Sequence, residues 1–157
     1  MLLVRKIFCA ITILLILFAC FGGGGASYEF NSAKTYARID KDLKAAEKWG
    51  IEAMKVQPAN ALIPYFLATE VYRPMKKQAK VGEMFLEALN RTENSPLDRP
   101  FKVGDEYINT VHDAILHEAF LLYNDATELY NKGKSSKAFP KFELSMALNP
   151  TILQNYI

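Results

Sequence analysis

The chain has 157 residues, of which 50% are hydrophobic, and it carries 19 basic and 17 acidic residues. This length accommodates one domain of no more than a few helical pairs, with enough hydrophobic residues for a buried core. Arg5 and Lys6 precede an apolar N-terminal run, and without these two residues the charges balance, which argues against nucleic acid as a partner.

Residues 1–19 combine this basic start with an unbroken apolar run from Ile7 to Ala19. A run of about 13 apolar residues has the length of the hydrophobic region of a secretory signal peptide. It is shorter than the roughly 20 residues that a membrane-spanning helix requires. The sequence therefore predicts that residues 1–19 are a signal peptide.

The two cysteines do not predict a disulfide, because Cys9 lies inside the apolar run and Cys20 directly follows it. The residues Leu17-Phe18-Ala19-Cys20 resemble the lipobox of bacterial lipoproteins, in which the cysteine is acylated and becomes the mature N-terminus. The resemblance implies lipidation at Cys20. Two alternatives stay open, namely an ordinary signal peptide cleaved between Gly22 and Ala26, and an uncleaved anchor.

The lipoprotein resemblance also implies a location. In bacteria with two membranes, a residue other than Asp after the cysteine, here Phe21, favours the outer membrane, so we expect a lipid-anchored protein of the cell envelope that faces the periplasm. Residues 20–27 are rich in glycine, which is typical of a flexible tether. A phosphate-binding loop is not predicted, because no Gly-Lys-Ser/Thr follows the glycines and no strand precedes them.

From residue 28 to residue 157 apolar residues recur at helical spacing, and nothing predicts a strand. The sequence contains an internal repeat, because the segment Tyr65–Tyr72 reappears as Tyr123–Tyr130. Each copy is followed by a second helical block that ends in Ala-Leu-Asn, at 88–90 and at 147–149. A recurring helix pair predicts a solenoid, in which each pair buries its apolar face against the next.

These blocks resemble the tetratricopeptide repeat (TPR), a helix pair of about 34 residues. In that repeat, small residues lie where the helices approach and a proline ends the unit. The resemblance implies an all-α fold, a TPR-like α-solenoid of about three helix pairs, with units at about 28–60, 61–94 and 106–152. The residues that carry it are Ala46, Ala53 and Pro58, then Ala68, Phe85 and Ala88, and finally Ala126, Gly133, Ala138, Phe142, Ser145 and Pro150.

Two departures from the repeat are visible. The tyrosine motifs lie further apart than one repeat, and Pro96, Pro100 and Gly104 predict a loop near 91–105. Glu106 to Tyr130 would then form one long helix in the third unit. Residues 151–157 begin a capping helix that is too short to cover the last apolar face.

In tetratricopeptide arrays the first helices of the units line a concave groove that binds the partner. Tyr65, Thr69 and Tyr72 are spaced i, i+4, i+7 and therefore share a helical face. Tyrosine offers a large contact area and a hydroxyl, although packing between helices also accounts for these residues. The predicted partner-binding groove comprises Tyr65, Thr69, Tyr72, Arg73, Tyr123, Thr127, Tyr130 and Asn131, with Asn31, Thr35 and Arg38 from the first unit.

His112 and His117, with Asp113 and Glu118, are the one hint of a metal site. Five positions on a helix turn through about 500 degrees, so the two imidazole rings diverge by roughly 140 degrees. The sequence contains no recognisable catalytic motif either. We therefore predict no metal, no cofactor and no enzymatic activity.

These features together predict a membrane-anchored adaptor or scaffold that mediates protein–protein interactions in the bacterial cell envelope. Its partner would be an envelope protein or peptide. One alternative is a metal-binding or enzymatic envelope protein that uses the His112/His117 region. Another is a structural lipoprotein that self-associates through its uncapped C-terminal face.

Overall fold

A computed structural model describes residues 25–92 and 94–152 of the chain. The predicted helical character is confirmed, because most of the described residues lie in helices and the rest include one small sheet. Residues 1–19 and Cys20, with their predicted roles, lie outside the described residues. The helices are α1 Tyr28–Thr35, α2 Leu43–Val56, α3 Leu62–Phe66, α4 Gln78–Leu89, α5 Val111–Asn131 and α6 Ser135–Leu148, and the strands are β1 Pro96–Val103 and β2 Glu106–Thr110.

Short polar side chains fix where several helices begin. The backbone N–H of Phe30 donates to Oγ of Ser27 at 3.2 Å, which caps α1. Asp42 caps α2 by accepting from the amides of Lys44 and Ala45. Such caps satisfy the N–H groups that the first turn of a helix leaves without a partner. Successive helices then pack in pairs, α1 on α2, α3 on α4 and α5 on α6.

The first and third helices each continue into a π-helical turn. Residues Tyr36–Asp40 extend α1 in this way, and residues Leu67–Tyr72 extend α3. In the second turn the amide of Arg73 donates to the carbonyl of Ala68 at 3.0 Å, five positions earlier. Because π-helical turns are rare and often mark functional sites, the place where these two turns meet is a candidate functional site.

Small residues lie at the contacts between helices. Gly50 of α2 faces Leu67, and Gly82 of α4 faces Leu144 of α6. The buried Ser145 hydroxyl donates to the carbonyl of Ala119 at 2.8 Å and so joins α6 to α5. The alanine and serine residues that are fully buried are Ala33, Ala46, Ala53, Ala61, Ala68, Ala88, Ala114, Ala119, Ala126, Ala138 and Ser145.

The prediction that nothing after Ser27 forms a strand is wrong. The segment interpreted as a loop near 91–105 is mostly β1, which pairs antiparallel with β2, and α5 begins at Val111 rather than at Glu106. Gly104, at φ 58°, supplies the left-handed residue that a tight hairpin turn requires. The pairing is irregular, with a register shift between Pro96 and Phe101.

No helix in the described ranges is long and apolar enough to cross a membrane.

Candidate functional site

The two π-helical turns meet at a cleft of about 480 Å³, which continues into a smaller cavity of about 130 Å³. We call these two together the π-turn cleft. Its walls come from the first helices of the first two helix pairs and from β1. The residues that line the larger part are Ala37, Arg38, Lys41, Leu43, Thr69, Glu70, Pro74 and Arg99, and those that line only the smaller part are Leu62, Tyr65, Phe66, Leu97 and Asp98.

An ion pair between Arg38 and Glu70 joins one π-helical turn to the other. Nε of Arg38 donates to Oε2 of Glu70 at 2.7 Å, and Nη2 donates to Oε1. This two-pronged geometry is the strong form of the arginine–carboxylate contact. The hydrogen bond to Glu70 raises the pKa of Arg38 above its ordinary value, burial opposes this shift, and the charges of Glu70 and Asp98 reinforce it.

The hairpin closes one side of the cleft. Asp98 of β1 accepts from Nη2 of Arg38 at 3.3 Å and from Nζ of Lys34 at 3.2 Å. Leu97 is buried and lines the smaller cavity. Both residues lie in the stretch of β1 where the register shifts, and such irregularities re-aim side chains out of the regular sheet pattern.

Among the described residues, the charged side chains of the π-turn cleft that form no ion pair are cations. Glu70 is paired with Arg38, and Asp98 is paired with both Arg38 and Lys34. Neither Lys41 nor Arg99 forms an ion pair within the described part of the chain. The cleft therefore offers two cations to an incoming group, beside an apolar wall that includes Leu43.

Three of the predicted groove residues meet here, namely Arg38, Tyr65 and Thr69. The Thr69 hydroxyl donates to the carbonyl of Tyr65 at 2.9 Å, so it is already used inside the helix. The ring of Tyr65 packs 6.0 Å from that of Phe85. Burial, with the charge of Glu118 next, raises the pKa of Tyr65 to about 12.

Tyr72 and Arg73 do not line the cleft. Tyr72 is only 1% exposed, so it presents almost no surface to a partner. Burial, followed by the charge of Glu47 and its hydrogen bond, raises the pKa of Tyr72 to about 12. Arg73 forms an ion pair with Glu118 of α5 at 2.9 Å. Both residues therefore connect helices within the domain.

Glu47 is the carboxylate beside Tyr72. Burial opposes its ionisation, but hydrogen bonds from Lys77 and Tyr72 outweigh burial, and the pKa of Glu47 lies below its ordinary value. Nζ of Lys77 lies 2.9 Å from Oε2 of Glu47, which links α2 to the segment that follows α3.

The predicted residues of the third unit lie apart from the cleft. Tyr123 packs edge-on against Phe142 at 5.4 Å, and the Thr127 hydroxyl donates to the carbonyl of Tyr123. Tyr130 is 54% exposed beside Phe139, and Asn131 is exposed at the end of α5.

Asn31 and Thr35 line a different depression, which also contains Tyr28. Nδ2 of Asn31 donates to the carbonyl of Ala26 at 3.1 Å. The structure therefore divides the predicted groove residues among separate surfaces and brings Arg38, Tyr65 and Thr69 together.

The two histidines lie near the hairpin. His117 packs 5.9 Å from the ring of Phe101, and the amide of His112 donates to Oδ1 of Asn94 at 3.1 Å. In residues 25–92 and 94–152, no group of three or more His, Cys, Asp or Glu side chains is arranged to hold a metal ion.

Sequence reasoning missed Lys41, Glu70, Asp98 and Arg99 as part of the site. The prolines at 96 and 100, on either side of Asp98 and Arg99, were the available signal of an unusual backbone there. No family model matches the chain, and no curated protein or solved structure matches it either.

Proposed function

We propose that the protein is a membrane-anchored, TPR-like lipoprotein that acts as an interaction adaptor in the bacterial cell envelope. The π-turn cleft is the single observation that carries the adaptor function, because it is a concave site between the first helices of consecutive helix pairs. Consecutive pairing of the helices and fully buried small residues at their contacts support the solenoid interpretation. The residues Leu17-Phe18-Ala19-Cys20 support lipid attachment.

The chemistry of the cleft favours an acidic peptide segment. Its volume of about 480 Å³ falls within the range of roughly 300–1,000 Å³ that is usual for ligand sites. Lys41 and Arg99 provide the cations, while Leu43 and Pro74 provide apolar contact. A partner segment that combines a carboxylate with an apolar side chain would match both kinds of surface.

Charge reversal tests the cleft. In the double variant Lys41→Glu/Arg99→Glu, carboxylates on the partner would meet like charges, so we expect partner capture in cells to fall by more than about tenfold. Cross-linking followed by mass spectrometry measures that capture. The matched control is Lys132→Glu/Lys134→Glu, which makes the same charge change beyond α5. Equal capture by all three proteins would refute the assignment.

Lipid attachment has its own test. Cys20→Ser removes the thiol that an acyl chain requires, so the variant should lose acyl labelling and leave the membrane fraction. Each buried methylene group of an acyl chain contributes about 0.8 kcal/mol to membrane attachment, which makes release measurable. Retention in membranes without labelling would favour the uncleaved anchor.

A second candidate function is self-association. The helices of the third pair expose large apolar side chains, and such surfaces are typical of interaction sites when they are contiguous. Light scattering at rising concentration should then show a dimer or larger species, which Phe120→Ser/Phe139→Ser would convert to a monomer. A native protein that stays monomeric would count against this role. The exposed side chains are Leu116, Phe120, Leu121, Phe139 and Met146.

A further inference from the structure

The two cations of the π-turn cleft that form no ion pair within the described ranges come from different elements. Lys41 lies between the π-helical turn Tyr36–Asp40 and α2, and its amide donates to the carbonyl of Tyr36, so the helices fix its backbone. Arg99 lies on β1. A ligand that binds both side chains therefore requires the hairpin to hold a defined position against the helices.

The strand ladder alone does not fix the direction of Arg99. The register places the four residues 97–100 of β1 opposite Asn109 alone. A strand with extra residues leaves the regular pairing and bends locally. Contacts outside the ladder must therefore hold this segment. The flanking pairs of the register are Pro96–Thr110 and Phe101–Ile108.

Asp98, the residue before Arg99, provides the directional contact. Its carboxylate lies 3.2 Å from Nζ of Lys34 and accepts from Nη2 of Arg38 at 3.3 Å. The side chains of Lys34 and Asp98 are only 18% and 26% exposed, and solvent screens such pairs less than exposed ones. Leu97 is buried beside Asp98, but apolar contact has no preferred direction.

The helix that receives this carboxylate is itself fixed at both ends. At the start of α1, Nε2 of Gln57 donates to the carbonyl of Gly25 at 3.0 Å, and Oε1 accepts from the amide of Ser27 at 3.2 Å, which ties α1 to the end of α2. In the π-helical turn that extends α1, Arg38 donates to both carboxylate oxygens of Glu70. The hairpin is therefore the element whose position the ion pairs of β1 determine.

We infer that Asp98 is a positioning residue, which holds Arg99 at the cleft so that Arg99 and Lys41 bind the same acidic segment. The inference rests on the proposed function of the cleft and adds the residue that determines its geometry. It also predicts coupling, because a ligand that joins Lys41 to Arg99 holds the hairpin against the helices. Such coupling is reciprocal, so the ligand should strengthen the contact that Asp98 makes.

The direction of one effect distinguishes positioning from electrostatics. Asp98→Asn removes a negative charge beside the cleft, so electrostatics alone would make an acidic ligand bind more tightly. Loss of the positioning contact would make it bind more weakly. The probe is a synthetic hexapeptide that alternates leucine with glutamate, labelled with fluorescein and followed by fluorescence anisotropy. We expect Asp98→Asn to weaken its binding by about three- to tenfold.

A double-mutant cycle tests whether Asp98 acts through Arg99. In the Arg99→Gln protein the arginine charge is already lost, so Asp98→Asn should cause no further weakening. In the Lys41→Gln protein, Asp98→Asn should weaken binding by the same factor as in the native protein. Equal weakening in all three backgrounds would overturn the action through Arg99.

Asp105→Asn is the matched control. Asp105 lies in the turn of the same hairpin, its side chain is fully exposed, and the substitution removes the same charge. This variant should bind the peptide at least as tightly as the native protein does. Circular dichroism of each variant verifies that it is folded. Weakening equal to that of Asp98→Asn would overturn the inference.

Hydrogen exchange provides a readout of the hairpin itself. Peptide binding should slow exchange of the amides at residues 97–99 in the native protein but not in the Arg99→Gln protein. A native protein that binds the peptide, with Asp98→Asn binding as tightly or more tightly, would overturn the positioning role and leave the proposed function intact. A native protein that does not bind the peptide at millimolar concentration would overturn the acidic-peptide assignment and, with it, this inference.

Discussion

Gly50 lies where α2 packs against Leu67, the first residue of the π-helical turn that follows α3. A Cβ at this position would lie 2.5 Å from Cδ2 and 3.1 Å from Cγ of Leu67, which is itself fully buried. Alanine normally stabilises a helix by about 1 kcal/mol relative to glycine, but overpacking of a core costs about 1–3 kcal/mol. The net expectation is that Gly50→Ala lowers the free energy of unfolding by up to about 2 kcal/mol, as measured by urea denaturation.

Gly82 is the matched control for this prediction. A Cβ there would lie 3.1 Å from both Cδ atoms of Leu144, which is only partly buried and can move aside. The helical preference for alanine then offsets the tighter contact, so Gly82→Ala should change stability by less than about 0.5 kcal/mol. Equal losses in the two variants would contradict this account of Gly50.

The half-buried Tyr65 and the buried Tyr72 predict that the free energy of unfolding falls at alkaline pH. Burial raises the pKa of Tyr65 and of Tyr72 to about 12, whereas an unfolded chain ionises its tyrosines near 10. The folded state therefore holds these protons more tightly, and the stability they contribute is fully present below about pH 10 and is lost as the pH rises through about 12. The free energy of unfolding should fall across this window.

Removal of a hydroxyl tests which tyrosine is responsible. Tyr72→Phe eliminates one titrating group, so the decline in stability between pH 10 and pH 12 should become shallower than in the native protein. Tyr130→Phe is the control, because Tyr130 is 54% exposed. An unchanged slope in Tyr72→Phe would refute the assignment to Tyr72.

At the scale of elements, the repeated tyrosine motif shows why helical spacing alone wrongly assigned Tyr72 to the partner-binding groove. The i, i+4, i+7 rule holds for α-helical geometry, but the first copy enters the π-helical turn Leu67–Tyr72. In this turn the backbone hydrogen bonds span five residues instead of four. The side chains that follow therefore point in directions other than those of an α-helix, and Tyr72 is buried. The second copy stays α-helical, and Tyr130 remains exposed. No residue type in the sequence signals this difference.

The sequence pattern could not predict the β1–β2 hairpin either. Pro96, Pro100 and Gly104 are the residues that mark a loop, and β1 lacks the regular alternation that predicts a strand. What holds β1 in place is tertiary, because Leu97 is buried against the first helices and Asp98 pairs with Lys34 and Arg38. The side of the candidate site that the hairpin forms therefore could not be predicted.

Leu97→Asp tests how the hairpin is attached. The substitution removes the apolar packing of Leu97 and buries a polar group in its place, so we expect β1 to leave the helices, at a cost of about 2–4 kcal/mol. Hydrogen exchange should speed up in β1 and β2 while the amides of α2 stay protected. The outward-facing Lys102→Asp should leave exchange at β1 almost unchanged, and equal effects would contradict the proposed attachment.

At the scale of the whole molecule, the succession of helix pairs was predictable, and its reason is physical. Alanines at 46, 53, 68 and 126 follow helical spacing, and each is fully buried between helices. Composition and periodicity carry this information because small side chains let helices approach. The relative placement of the pairs depends on π-helical turns and on the hairpin, which no periodic pattern encodes.

The last helix pair connects to the others mainly through α4 and through the ion pair between Arg73 and Glu118. Leu144 of α6 packs over Gly82 in that connection. We expect Leu144→Ala to lower stability by about 1–3 kcal/mol and to let α6 exchange its amides by local opening, ahead of α2. Native-state hydrogen exchange measures this order, and simultaneous exchange of both helices would contradict it.

Gln57 gives the domain a defined response to mechanical load. If the N-terminus is lipid-anchored as we propose, a pull on it reaches the first helix through residues that Gln57 also ties to the end of the second helix. The force is thus divided between two antiparallel neighbours, and the first turn of α1 does not carry it alone. In the proposed role of an adaptor between a bilayer and a partner, the domain would resist unfolding from its N-terminal end.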